Sequence, residues 1–401
     1  MMWQVYKEAI DMRARRAFLL ILLVALVSAS VATSAIAESA TDMIVVFKPG
    51  VSAEKVGPAI IARHGGIVGK NLRLINARAA RLTPAAARAL ARVPSVLRID
   101  EDITVSINGG KPKPPAQPPE TLPWGIDRID AELAWAYSTG DPVKVAVLDT
   151  GIDLSHPDLA GNIKGGYNAL NPLKQPGDGN GHGTHVAGII GALDNEIGVI
   201  GAAPAADLYA VKVLGNGGSG KLSDVIEGLE WAVAHGMQVV NMSFGASSGN
   251  ESFHAAIIAA HNAGIVLVAA AGNEGGPVSY PAAYPEVIAV SAIDSSDAVP
   301  SWSNFGPEID LAAPGVSIFS TYKGSTYQTL SGASMASPHV AGAAALVMSL
   351  PVPPAYDTDG DGAWDPAEVQ RRLQDTAQDA GPSGFDPYYG WGIVNALSAL
   401  P

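Results

Sequence analysis

Residues 143–149 read VKVAVLD, and LYAVKVL (208–214), MQVVNMS (237–243), IVLVAAA (265–271) and VIAVSAI (287–293) follow the same pattern. Each run is short, rich in β-branched residues and apolar at consecutive positions. A strand with one wet face alternates, whereas a continuous apolar run is buried on both sides. Between the runs lie helical stretches such as LSDVIEGLEWAVAHG (222–236) and ESFHAAIIAAHNAG (251–264). Strands of this kind interleaved with helices predict an α/β fold over residues 122–401: a doubly wound parallel sheet covered on both faces. In such sheets the working residues sit at the carboxyl ends of the strands.

Upstream the pattern differs. Residues 42–107 run strand, helix, strand, strand, helix, strand, which predicts a small α+β domain. NGGKPKPPAQPPETLP (108–123) then has Pro and Gly punctuation and almost nothing apolar, so 108–121 reads as an extended, cleavable linker. At the start, RARRAFLLILLVALVSASVATSAIA (13–37) has a basic entry, an apolar run over 17–27 and Ala35-Ile36-Ala37. That is a secretory signal peptide, with cleavage expected after Ala37 and Met12 as an alternative start. A secreted, extracellular protein is expected, with no stable membrane association once the signal is removed.

Of 401 residues, 48% are hydrophobic, enough for a sizeable core, and the formal net charge is −13. An acidic chain lacks the basic face that nucleic acid requires. Self-repulsion at this charge fits a soluble monomer. There is no cysteine, which removes disulfides, thiolate metal sites and a cysteine nucleophile together. Stability outside the cell then has to come from packing or bound ions.

Three segments carry chemistry. Asp149 ends the first strand and meets a Thr150-Gly151 turn; alone it could be a cap. GNGHGTHVAGII (179–190) sets His182 and His185 three apart at a helix start, on one face. As metal ligands they lack the intervening Glu of a zinc-protease helix and a third ligand nearby. Ser334 lies in SGASMASPHVAGAAALVM (331–348), a Gly-rich turn opening a helix. A serine there is often an N-cap, yet a nucleophilic serine needs the same setting, plus an imidazole base and a carboxylate to hold it.

The segments VAVLDTGIDLSHPDL, GHGTHVAG, NMSFG, VAAAGNEG and SGASMASPHVAG, in this order over residues 122–401, resemble the signature blocks of the subtilisin family of serine proteases. The region 42–107 resembles that family's inhibitory propeptide. The resemblance implies a serine endopeptidase with Ser334 as nucleophile, His182 as general base, Asp149 orienting the imidazole and Asn273 as oxyanion donor beside the Ser334 N–H. His185, His156 and His339 are then structural. Gly218-Ser219-Gly220 would pair with an extended peptide, and Ser243-Phe244-Gly245 with Ala270-Ala271-Gly272 would wall the P1 pocket. Ser279 at its floor should shorten it, and Glu274 at its rim could favour a basic residue; broad cleavage with a medium-sized P1 is expected. Protein and peptide substrates are implied, with the propeptide as intramolecular inhibitor and self-cleavage near Ile107–Gly110. One departure stands out: the family usually has Gly-Thr-Ser, and here Ala333 replaces the Thr. The competing reading is a non-catalytic, calcium-dependent binding protein on the same fold.

DTDGDGAWDPAE (357–368) matches the EF-hand loop pattern. Asp357, Asp359 and Asp361 would offer side-chain oxygens to Ca2+, Ala363 its carbonyl, Asp365 a water-mediated contact and Glu368 a bidentate carboxylate, with Gly362 at the sharp turn. The preceding PVPP replaces an entering helix, so a single inserted loop is expected. The family resemblance implies a second calcium site: carbonyls of Leu193, Ile197 and Val199, the Asn195 side chain, Asp158 and Glu120.

Overall fold

The computed structural model describes residues 39–107 and 119–401. The signal segment, the linker through Pro118 and the self-cleavage region past Ile107 lie outside the described residues. Among the described residues no helix is long and apolar enough to cross a membrane.

The main sheet has seven strands, in spatial order Leu311–Pro314, Ile288–Ile293, Val266–Ala270, Val239–Met242, Lys144–Asp149, Asp207–Lys212 and Ile163–Asn168. Every neighbouring pair is parallel. Alternate side chains divide between two cores. Val145, Val147, Val239, Val266 and Val268 face one side, with the helices His182–Gly191 and Ala333–Met348. Ala146, Leu148, Val240, Met242, Leu267 and Ala269 face the other, with Leu222–Ala234 and Glu251–Asn262. Burial on both faces is what makes the inner strands so apolar, whereas the edge strand Ile163–Asn168 is mostly half-buried. The fold is therefore α/β with a doubly wound parallel sheet.

From Lys144–Asp149 the chain first crosses to the edge strand Ile163–Asn168, fills the gap with Asp207–Lys212, then returns to add Val239–Met242 on the other side. A crevice opens at the carboxyl ends where the winding reverses. Asp149 and Ser243 stand at its two lips.

Residues 41–101 form a separate four-stranded antiparallel sheet, ordered Ile67–Leu72, Ala77–Leu82, Thr41–Phe47, Val96–Glu101. Its own core holds Phe47, Ile61, Leu82 and Leu90 under the helices Ala53–Arg63 and Pro84–Leu90. Its other face, with Ile44, Val46 and Leu72, joins the second core of the main domain. Polar contacts frame this junction: Asp102 Oδ1 accepts the Ser223 N–H at 2.7 Å, and Lys70 pairs with Glu227 at 2.9 Å.

At Pro119 the chain is already part of the main domain. Pro119 bridges to Ile197 and Thr121 to Val199, so the last three residues of the expected linker are an attached strap. Composition pointed to a linker because Pro and Glu carry no apolar signal, whereas the attachment runs through backbone pairing.

Candidate active site

Asp149 is fully buried at the end of its strand, and His182 opens the helix that follows Gly181. Gly183 allows the two to meet: a Cβ there would stand 2.2 Å from the Gly151 carbonyl oxygen and 3.0 Å from Asp149 Cβ. His182 Nδ1 lies 2.9 Å from both Asp149 carboxylate oxygens. Its Nε2 is buried and has no hydrogen-bond partner among the described residues.

Asp178 fastens this corner, and sequence reasoning missed it. Its Oδ1 accepts from the Gly181 N–H at 2.8 Å and the Thr150 hydroxyl at 2.9 Å; its Oδ2 accepts from the Thr184 hydroxyl at 2.6 Å. In the string PGDGNG it reads as one more turn residue. The strand exit and the helix entry that it joins are distant in sequence.

Ser334 is the second residue of the helix Ala333–Met348, and its Oγ donates to the Ser243 carbonyl at 3.0 Å. Pro338, four residues on, has no N–H to give the Ser334 carbonyl in the usual helical bond. The Ser243 hydroxyl donates to that carbonyl instead, at 2.9 Å. Asn241 Nδ2 donates to Ser243 Oγ at 2.9 Å, and the Ser337 hydroxyl donates to Asn241 Oδ1 at 2.6 Å. All four side chains are buried. Asn241 and Ser337 were not singled out from sequence, because an isolated polar residue in an apolar run carries no mark of its partner.

Asn273 sits in the loop just past the strand Val266–Ala270. Its Oδ1 accepts the Ala333 N–H at 2.8 Å, leaving the amide NH₂ for another acceptor. Ala333 supplies that anchor from its backbone.

Thr104–Ile107 lies in the crevice as the middle strand of a three-stranded antiparallel sheet. Val105 pairs with Gly220 and Ser106 with Ser219, while Ile107 pairs with Phe244 and Ser106 with Gly245. The edge strand spans Ser219–Lys221, so Gly218 falls in the preceding turn, at φ +78°. Val105 is fully buried in the cluster that contains Leu214, Leu222 and Phe244.

Beside this strand a cavity of about 250 Å³ is lined by residues that include Gly245, Ala246, Glu274, Gly276, Ser279 and Asn304. Ser243, Phe244 and Ala271 are buried behind it, with Phe244 and Ala271 in the core, so their side chains support the wall rather than line it. Gly272, also buried, has its Cα facing the Asn304, Ser279 and Glu274 side chains.

The remaining histidines serve structure. His185 Nε2 lies 3.1 Å from the Ile318 and Gln328 carbonyls, and burial pushes its pKa down to about 3. His339 Nδ1 donates to the Met335 carbonyl at 2.8 Å, and burial lowers it to about 4. His156 is bonded to the Thr326 carbonyl and is likewise lowered by burial. Between about pH 6.5 and their folded values the unfolded chain protonates His185 and His339 and the folded chain does not, so each erodes stability by up to about 1.4 kcal/mol per pH unit as pH falls. His156 acts in the same direction. Asp310, pushed up to about 6 by burial, works in the opposite sense. The His185 contribution is isolated by comparison. The stability advantage of the Ser334→Ala chain over Ser334→Ala/His185→Gln should shrink by about 2 kcal/mol between pH 6.5 and 5. A constant gap in urea unfolding would show that His185 is not buried neutral.

Two regions gather oxygen donors that could hold a cation. Asp357, Asp359 and Asp361 each bring a carboxylate oxygen within 4.8 Å of the others. Asp365 and Glu368, expected as ligands, instead cap the helix Pro366–Asp375 reciprocally: the Glu368 N–H donates to Asp365 Oδ1 at 2.9 Å and the Asp365 N–H to Glu368 Oε2 at 3.2 Å. Glu368 Oε1 accepts from the Thr358 N–H and hydroxyl. In the other region Asp158 is fully buried, and its Oδ1 has no close hydrogen bond among the described residues, although the Tyr327 and Asn195 side chains lie beside the carboxyl. Burial, with Glu120 nearby, pushes that carboxyl up to about 6. Its Oδ2 accepts the Val199 N–H at 3.0 Å, and Glu120 Oε1 accepts the Asn195 N–H at 2.9 Å. An orphaned buried carboxylate oxygen beside a second carboxylate fits a hard cation.

A model of the subtilase family matches residues 140–392. Subtilisin NAT from Bacillus subtilis subsp. natto is 42% identical over 393 residues, 95% of this chain and 97% of its own. An alkaline protease from Shouchella clausii is 45% identical over 79% of this chain and 77% of its own. Subtilisin Savinase from Lederbergia lenta is 48% identical over 70% of this chain and 99% of its own. Similarity of this extent, over a crevice where an imidazole is held by a buried carboxylate, leaves one assignment: the chain belongs to the subtilase family and is a subtilisin-like serine protease.

Proposed function

We propose that the chain is exported as a calcium-stabilised proenzyme and cuts polypeptides internally through Asp149, His182 and Ser334. Ser334 Oγ attacks the scissile carbonyl as His182 Nε2 takes its proton, so the Oγ–C bond forms while the carbonyl oxygen gains charge. Asn273 Nδ2 and the Ser334 N–H stabilise that oxygen. Collapse breaks the C–N bond, and the imidazolium gives its proton to the leaving amine. Water, activated by the same imidazole, then releases the acyl group and restores the serine. Asp149 holds the Nδ1–H and so leaves Nε2 as the acceptor.

The observation that carries this reading is His182, gripped through Nδ1 by both oxygens of Asp149 at 2.9 Å while its buried Nε2 has no partner among the described residues. That imidazole is tautomerically set to accept a proton. A sulfonyl fluoride should therefore modify Ser334 stoichiometrically in wild type and fail to do so in His182→Ala, as read by peptide mass. Modification spread over other serines, or independent of His182, would remove the triad assignment.

Residues 42–107 act in this reading as the intramolecular inhibitor, cut near Ile107–Gly110. Support comes from the strand Thr104–Ile107 in the crevice: Ile107 faces Phe244, one residue short of Ser243, whose carbonyl receives Ser334 Oγ. Val105 is its anchor, and burying a valine is worth about 1.5–3 kcal/mol. Val105→Asp in the full chain should shorten the lag between self-cleavage and full activity by about tenfold or more. An unchanged lag would mean that inhibition resides elsewhere.

Calcium would be held by Asp357, Asp359 and Asp361 in the loop, and by Asp158, Glu120 and Asn195 with the carbonyls of Leu193, Ile197 and Val199 in the second region. When bound, the ion neutralises carboxylates that the fold has brought together. With a dissociation constant of about 10⁻⁴ M and about 2 mM calcium, one site adds roughly 1.8 kcal/mol. In the inactive Ser334→Ala background, Asp359→Ala should reduce the calcium-dependent gain in unfolding free energy by that amount. An undiminished gain would exclude the loop.

A further inference from the structure

Asn304 lies in the loop SWSNFG (301–306) and is 1% exposed. A buried amide must satisfy two donors and its acceptor oxygen, so its partners are informative. Oδ1 accepts the Glu274 N–H at 2.8 Å and the Gly276 N–H at 3.1 Å. Nδ2 donates to the Ala271 carbonyl at 3.1 Å and to Glu274 Oε2 at 2.8 Å, with Ser279 Oγ at 3.3 Å. One side chain thus ties the wall, the floor and the rim of the 250 Å³ cavity together.

Gly272 lets the network close. A Cβ there would stand 2.2 Å from Asn304 Nδ2, 2.7 Å from Ser279 Oγ and 2.8 Å from Glu274 Oε2. Its φ of +114° also excludes a side chain. Glu274 Oε2 takes a second bond from the Asn273 N–H at 2.9 Å. Glu274 Oε1 receives no hydrogen bond among the described residues, and no described Lys or Arg pairs with Glu274. An exposed glutamate would otherwise spread over many rotamers in water. Here it is fixed on the rim of the cavity by a residue thirty positions away.

We propose that Asn304 is the positioning residue for selectivity at P1, the residue before the cut bond: by fixing Glu274, it makes the cavity favour P1 side chains that end in a cation. Such a side chain lays its apolar stem along Ala246, Pro277 and Val278 and brings its charge to Glu274. The proposal rests on the reading of this crevice as the endopeptidase cleft. Its new content is the dependence on Asn304.

The test uses two peptides that differ only at P1, lysine against methionine, which have similar length and opposite polarity. The readout is the ratio of their kcat/KM values on one enzyme preparation, so any loss of folded protein cancels. Glu274→Gln should lower the lysine-to-methionine ratio about threefold to tenfold. Asn304→Ala, with Glu274 intact, should lower it by a similar factor, and the double variant should go no further. A ratio within about twofold of wild type in Asn304→Ala, or losses that multiply in the double variant, would overturn the proposal. An unchanged ratio in Glu274→Gln would overturn it as well, by showing that the cavity does not take P1. If wild type cuts neither peptide nor any other, the endopeptidase reading falls and the proposal with it; a wild type that cuts confines the failure to Asn304.

Discussion

Ser334→Ala should lower kcat by about 10⁶-fold, a magnitude measured for the nucleophile in this same family. The alanine leaves His182 with no proton to take and the carbonyl with no attacking oxygen, while the oxyanion donors and the peptide-binding strands remain. What survives is the modest catalysis of binding and charge stabilisation, so KM should change little. The same variant should also retain residues 42–107, because the cut near Ile107–Gly110 uses the same serine. Intact mass of the wild-type and Ser334→Ala chains, each incubated with calcium, reads both effects. If wild type shortens and the variant does not, the protein processes itself. Shortening of a purified Ser334→Ala chain with no other protease present would end the self-cleavage claim.

Asn273→Ala should cost about 10²–10³-fold in kcat with little change in KM, again a magnitude from a member of this family. The physical reason is timing: charge on the carbonyl oxygen appears in the transition state, so its donor contributes there and hardly at all in the substrate complex. The anchor of Asn273 bears on the alternative of a binding protein on this fold. That reading drew only on Ala333 in place of the usual threonine. Asn273 Oδ1 is held at 2.8 Å by the Ala333 N–H, which any residue at that position provides. A fall below about tenfold in Asn273→Ala would mean that Asn273 does not face the oxyanion.

The inner five strands of the main sheet could be read from sequence because their pattern is local, while the edge strands Ile163–Asn168 and Leu311–Pro314 could not. Strands buried on both faces must be apolar throughout, and Val145–Leu148 and Val266–Ala270 are. The triad candidates were also legible, because Gly-rich turns mark the places where backbone approaches backbone; Gly183 against Gly151 is the physical instance. The roles of the closing residues of the acidic loop were not. The carboxyls of Asp365 and Glu368 can act as ligands or cap a helix, and the spacing that suits one role suits the other.

From the order of residues alone follow a parallel α/β sheet, dictated by periodicity, and an acidic loop at 357–361, dictated by residues close in the chain. Asp149, His182 and Ser334 are marked as candidates by their turns and joined as a triad by the resemblance of the surrounding blocks to the subtilisin family. The partners of buried polar groups follow from none of these. Asp178 joins Thr150 to Gly181, Asn241 and Ser337 brace Ser243, and Asn304 fastens Glu274, across separations of up to 96 residues. A polar side chain taken out of water must find its hydrogen bonds wherever the packed backbone brings a donor or acceptor within reach. Packing of the whole chain decides where that is, so these residues acquire their roles only in the folded protein.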